Sequence, residues 1–164
     1  MEGQPIGTIE VIQPQPKQEG QQLTLELAVC YPKEKLDPVW DQIKPYVEEL
    51  ANASAGEYNA YSIYNSLLFG VSHLYMGYLN DANRTFVGYL VISFKPDSVH
   101  IWQAYIMPAF RHTNVFQMGA GHIEAEVKKT GCRTITFSAT KDWSGMIEKI
   151  GFVQGNTIFR KELK

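Results

Sequence analysis

Val99-His-Ile-Trp-Gln-Ala-Tyr-Ile106, then Met107-Pro-Ala-Phe-Arg111, then a run closing at Gly131-Cys132 is the stretch on which the reading of this chain turns. The first eight residues form an apolar strand rich in β-branched and aromatic side chains. Beyond Arg111, Phe116, Ala120, Ile123 and Val127 recur at helical spacing, and Gly131 stops the helix. Arg133-Thr-Ile-Thr-Phe-Ser138 reads as the next strand, followed by a short helix closing on Ile150-Gly-Phe152 and a last strand in Thr157-Ile-Phe-Arg-Lys-Glu-Leu163.

Toward the N-terminus, Val71 to Leu79 and Thr85 to Phe94 flank the polar turn Asn80-Asp-Ala-Asn-Arg84, which predicts an antiparallel hairpin. Lys95-Pro-Asp-Ser98 is a second turn, delivering the strand from Val99. A short helix is expected from about Ala60 to Phe69, stopping at Gly70. Asp37-Pro38 reads as a helix start, with Asp37 capping the free amides and Pro38 in the first turn. Val39, Trp40, Ile43, Val47 and Leu50 continue that helix, and Pro45 is expected to kink or split it. Leu23-Thr-Leu-Glu-Leu-Ala-Val29 alternates as a half-buried strand. Residues 1–22, with six Gln and three Pro, read as an N-terminal arm. The expectation is therefore an arm over 1–22 and a single α+β domain over 23–164, a mixed central sheet flanked by helices.

The bulk composition limits the function classes. With 164 residues and 45% apolar content the chain can bury a full core as one domain. The net charge of −2 and the absence of a like-charge block give no electrostatic footprint for nucleic acid. Residues 1–82 hold 4 basic and 11 acidic side chains, whereas residues 83–164 hold 11 basic and 6 acidic. That basic half suits a polyanionic ligand or an acidic partner surface, or is scatter about a neutral mean. Cys30 and Cys132 are too few and too far apart for a disulfide framework or metal knuckle, and Cys132 reads as a small buried thiol. No apolar run reaches membrane-spanning length and no secretory signal is apparent. The expected location is a reducing cytoplasm or a particle assembled there.

The element order, with Gly131-Cys132 and Gly151-Phe152 at the ends of the two late helices, resembles the GCN5-related N-acetyltransferases over roughly residues 23–164. That resemblance implies an acyl-CoA N-acyltransferase fold with acetyl-CoA as donor. In the family, R/Q-x-x-G-x-G/A lets the amides of a helix N-terminus receive the coenzyme pyrophosphate. Here the pattern falls on Arg111-His-Thr-Asn114-Val-Phe116. Arg111 matches, while Asn114 and Phe116 replace the two small residues. The coenzyme positions implied are thus Arg111, Thr113, Asn114, Val115 and Phe116. Asn114 preserves the turn if it takes unusual backbone angles. Phe116 either occupies pyrophosphate space or anchors the buried helical face. Gln117-Met-Gly-Ala-Gly121 offers a rival glycine register, or merely a helix with two glycines.

The catalytic positions also depart from the family. Its closing Tyr-x-x-x-Gly-Phe places Ile147 where the usual acid stands. The strand from Val99 supplies no carboxylate; its polar members are His100, Gln103 and Tyr105, of which His100 is the candidate base. Glu57, His112 and Asp142 are further titratable candidates, with Asp142 equally a helix cap. Seven tyrosines (58, 61, 64, 75, 78, 89 and 105) either line an acceptor pocket or serve wet edges and contacts.

Residues 129–143, 150–152 and 157–163 resemble a branch of the same fold encoded by tailed bacteriophages beside virion genes, similar to the internal virion proteins of podophages. That likeness implies a non-catalytic structural or assembly component of the virion, located there or in the host cytoplasm, with other protein subunits or copies of itself as partners. The alternative is an acetyl-CoA-dependent N-acyltransferase acting on an amine.

Overall fold

A computed structural model describes residues 24–29, 33–54 and 57–137. Its elements, in chain order, are β1 (Leu25–Val29), α1 (Lys33–Ala53), α2 (Ala60–Leu68), β2 (Ser72–Leu79), β3 (Phe86–Phe94), β4 (Ser98–Ile106), a short 3-10 turn (Pro108–Phe110), α3 (Val115–Lys129) and β5 (Thr134–Phe137). The sheet runs β1-β2-β3-β4-β5, antiparallel through β4 and parallel between β4 and β5. This is the mixed α+β sheet expected. The helix anticipated near Trp143 and the last strand lie outside the described residues, as does the arm over 1–22.

The helices cover the two sheet faces in separate layers. Leu36, Ile43 and Val47 of α1 and Ile63 and Leu67 of α2 pack with Leu74, Met76, Tyr89, Val91 and Tyr105 on one face. On the other, Ile123 and Val127 of α3 meet Tyr75, Ile92 and Val99, while Val115 packs with Leu25, Leu79 and Val87. Leu74 and Met76 facing one way with Tyr75 facing the other is the period-two alternation of a strand buried on both sides. Cys132 is half-buried beside the α3 cluster, close to the small buried thiol expected.

One helix boundary differs from the sequence reading. α1 begins at Lys33, so Asp37 lies within it and does not cap it; its Oδ1 accepts a hydrogen bond from the Tyr64 hydroxyl at 2.8 Å. Both Pro38 and Pro45 sit inside one helix, which neither starts at the first nor splits at the second. They are seven residues apart on the exposed side, opposite Ile43 and Val47, so the backbone positions they disturb lie toward water while the apolar stripe holds the helix on the sheet. α2 starts with a capping box the sequence reading passed over: the Asn59 side chain accepts from the Ser62 amide at 2.8 Å, and the Ser62 hydroxyl accepts from the Asn59 amide at 3.1 Å. At its other end Gly70 takes a φ of +69°, the left-handed stop its position predicts.

Candidate acyl-coenzyme A site

The site is organised by β4 and the way its neighbours leave it. Val91 pairs with Gln103 but the next residue, Ile92, pairs with Ile101, so Trp102 is the extra residue of a β-bulge. Val99 and Ile101, before the bulge, face α3; after it Gln103 and Tyr105 face α1 and α2, while Ala104 and Ile106 return to the α3 side. β5 pairs with β4 only from Ser98 to Ile101. Beyond the bulge, the β5-side edge of Trp102–Ile106 has no strand partner among the described residues; the Ile106 carbonyl accepts from Arg111, and the edge before it is left for another group.

Beneath α3, beside this open edge, lies an apolar cavity of about 90 Å³. Its wall includes Phe116, Val115 and Ile123 of α3, Ile106 of β4 and Phe137 of β5, and it reaches Leu25 of β1. The floor is hollow because Gly77 and Gly88 pair directly across β2 and β3. Paired glycines at mirrored positions of a predicted hairpin are the sequence signal for such a close backbone approach.

The expected coenzyme residues converge on the α3 N-terminus, where they divide into exposed and inward-facing groups. Arg111 is exposed, donates from Nε to the Ile106 carbonyl at 3.0 Å, and holds its guanidinium 5.5 Å from the Tyr105 ring centre. Thr113 Oγ1 accepts from the Val115 amide at 3.3 Å and donates to the Phe110 carbonyl at 2.7 Å, tying the turn to the helix. Asn114 is exposed, and its φ of −80° and ψ of 6° are ordinary for a residue entering a helix. The unusual angles considered for it are therefore not needed, and the turn forms without glycine. Val115 is buried, and half-buried Phe116 joins the cavity wall. Gly119 and Gly121 both lie inside α3, so the rival glycine register is helix rather than loop.

His100 stands elsewhere. It pairs with Ser93 and Thr136 near the start of β4, and its Nδ1 lies 2.8 Å from Thr136 Oγ1. Burial, reinforced by the Lys95 charge, lowers its pKa below the usual histidine value. Tyr105 stands five positions further along β4, roughly 17 Å away at the strand rise, so His100 does not join the groups at the open end.

On the α1 side of that end the structure assembles a cluster that sequence reasoning did not put together. The Tyr105 hydroxyl donates to Glu49 Oε2 at 3.3 Å, and its ring stacks on Tyr46 with centres 4.7 Å apart. Tyr58 meets Trp102 edge-on at 5.7 Å. The Tyr89 hydroxyl donates to Gln103 Oε1 at 3.0 Å. Burial, and next the Glu49 charge, push the Tyr105 phenol above its ordinary value, with Arg111 opposing. Burial pushes Tyr89 far up as well. Both phenols thus stay protonated near neutral pH. Glu49 supplies the carboxylate absent from β4; as one of several acidic residues on a helix it carried no signal, since only the fold brings it to Tyr105. Glu57 and His112 are exposed, and no metal-binding cluster occurs among the described residues. Ile147 and Asp142 lie outside them. No described helix is long and apolar enough to cross a membrane.

Comparison with known proteins separates sequence from fold. No family model and no curated protein sequence matches the chain. Solved structures do. A ribosomal-protein-alanine N-acetyltransferase from Brucella melitensis biovar Abortus 2308 superposes with a TM-score of 0.64 at 9% identity, covering 86% of this chain and 100% of the other. A predicted acetyltransferase from Clostridium acetobutylicum, solved with acetyl-CoA, gives 0.60 at 15% identity over 85% and 96% of the two chains. An aminoglycoside N-acetyltransferase in complex with CoA gives 0.57 at 14% identity over 85% and 100%. The chain has the fold of the GCN5-related N-acetyltransferases.

Proposed function

We propose that this protein is an acyl-coenzyme-A-dependent N-acyltransferase. The observation that carries the reading is the apolar cavity lying against the unpaired edge of β4, directly below the α3 N-terminus. A coenzyme thioester needs those three features in that order. Backbone amides and exposed Arg111, His112 and Asn114 suit its phosphates, the open strand edge suits the amides of its arm, and a dry wall suits its acyl end. The solved relatives with acetyl-CoA and with CoA support the same assignment.

The chemistry is displacement at an activated acyl carbon: the amine nitrogen forms the C–N bond as the C–S bond breaks, and the thiolate leaves with one amine proton to become the thiol. The two faces of β4 divide the work. The α3 face holds the donor, and the aromatic α1 face receives the acceptor. Exposed Glu49 is the base that takes the proton from an arriving ammonium group, and Tyr105, held as the neutral phenol, positions that carboxylate.

The virion role implied by the sequence resemblance draws on residues 129–143, 150–152 and 157–163 and on the 1–22 arm, of which only 129–137 are among the described residues, whereas the described site favours acyl transfer. Calorimetric titration with acetyl-CoA tests the reading, followed by a thiol-release assay against a panel of primary amines. Micromolar binding with amine-dependent thiol release is expected. No binding at millimolar acetyl-CoA would overturn it and return the fold to a contact role.

A further inference from the structure

The cavity under α3 is longer than an acetyl donor requires. It continues from Ile106 at the open edge of β4, across the paired Gly77 and Gly88, to Leu25 on β1. Its deep part cannot hold the polar arm of a coenzyme. There β2, β3 and β4 are hydrogen-bonded to one another, with Gly77 on Gly88 and Gly88 on Ile106, so the floor presents no unpaired strand edge to satisfy an amide. Hydrocarbon meets no such penalty.

The glycines show which part of the hollow is imposed by geometry. A Cβ on Gly88 would stand 2.1 Å from the Tyr105 carbonyl oxygen, so strand contact alone explains that residue. Gly119, in the roof, has no such reason. A Cβ there would meet only Leu25 Cδ2, at 3.7 Å, an ordinary contact, and its backbone is plain helix. Glycine inside a helix is a poorer choice than alanine. The local rule is broken where the break keeps a space open, which is the pattern of a functional position.

We infer that the acyl donor carries a medium-length hydrocarbon chain, longer than acetyl, which lies under α3 between Gly119 and the Gly77–Gly88 floor. The inference rests on the acyltransferase reading above and specifies its donor. The roof glycine sets the depth available to the chain, and Leu25 closes the far end.

Titration of the full chain with free CoA and with acetyl-, butanoyl-, hexanoyl- and octanoyl-CoA tests it, alongside Gly119→Leu and Gly119→Ala. Affinity is expected to rise about fourfold per added methylene until the cavity is filled. Gly119→Leu should abolish that rise, keep the free-CoA affinity of the parent, since free CoA places no acyl group in the cavity, and melt no lower, since leucine is the better helix former. Should Gly119→Leu fail to fold, Gly119→Ala carries the test by ending the rise at a shorter chain. Equal affinity for all acyl lengths, or an unchanged rise in the glycine variants, overturns the inference and leaves the coenzyme reading standing. No binding of CoA or any thioester removes both.

Discussion

Gly88 lies against the carbonyl of Tyr105 so closely that a Cβ would stand 2.1 Å from that oxygen. The contact joins β3 to β4 where the cavity floor meets the open edge, so one residue supports both core and site. Gly88→Ala must push β4 outward or twist it. The expected loss is about 3 kcal/mol, the upper range for overpacking a fixed core. Urea denaturation should show a lower midpoint at unchanged slope. An unchanged midpoint would mean the two strands are not in this register.

The element order was legible because periodicity carries it. The hairpin around Asn80–Arg84, the stop at Gly70 and the helix before Gly131 all follow from local chemistry that the tertiary structure does not oppose. α1 went astray for the opposite reason. Pro38 and Pro45 are strong local signals for a start and a break, but both face water, and packing of Ile43 and Val47 outweighs them. The site was half legible. The α3 N-terminus could be located from Arg111 and Gly131, since a motif and a helix length are one-dimensional facts. Glu49 and Tyr105 are far apart in sequence and meet only because α1 crosses β4. Nothing in a linear pattern announces such a pair.

Glu49 separates binding from chemistry. Glu49→Gln keeps the side-chain volume and an acceptor for the Tyr105 hydroxyl but cannot take a proton. Turnover should fall by roughly 10²-fold or more, as for the loss of a general base. Affinity for the acyl donor, which the proposed function places on the other face of β4, should stay within about twofold of the parent, the factor expected where no contact is lost. Steady-state kinetics with parallel calorimetry checks the split. An equal loss in both would place Glu49 in structure rather than catalysis.

Stability should fall as the medium is acidified from neutral pH. Burial lowers the pKa of His73, and burial with the Lys95 charge lowers that of His100. For both, the unfolded chain binds the proton more readily than the folded one. Stability therefore rises with pH between the lowered folded values and the ordinary value near ~6.5, and is lost as pH falls through that window. Asp81 acts in the same direction at lower pH, since bonds from the Thr85 hydroxyl and amide hold its carboxyl down. Melting temperatures recorded from pH 7.5 to 5.5 should decline, and His100→Gln should flatten the decline. A curve that rises on acidification would contradict the burial of both rings.

Gln103 and Tyr89 set a sharper test, because the fold leaves their exchange incomplete. Gln103 is 2% exposed, and its Oε1 accepts from the Tyr89 hydroxyl, yet its Nε2 has no partner among the described residues. Whichever way the amide is turned, one hydroxyl satisfies one end of it. Tyr89→Phe strands both ends of the amide and should be the least stable of the series. Gln103→Met removes the stranded donor but leaves the Tyr89 hydroxyl without its acceptor, exchanging one unmet group for another, and should fall between. The double variant buries no unmet group here, and replacing both partners by apolar groups is nearly neutral or stabilising. It should match or exceed the parent, giving a coupling energy of about 1–3 kcal/mol in the cycle. Additive losses would show instead that an ordered water already serves the amide. If the double variant is stable but slower in acyl transfer, the unmet amide belongs to the acceptor face rather than to the core.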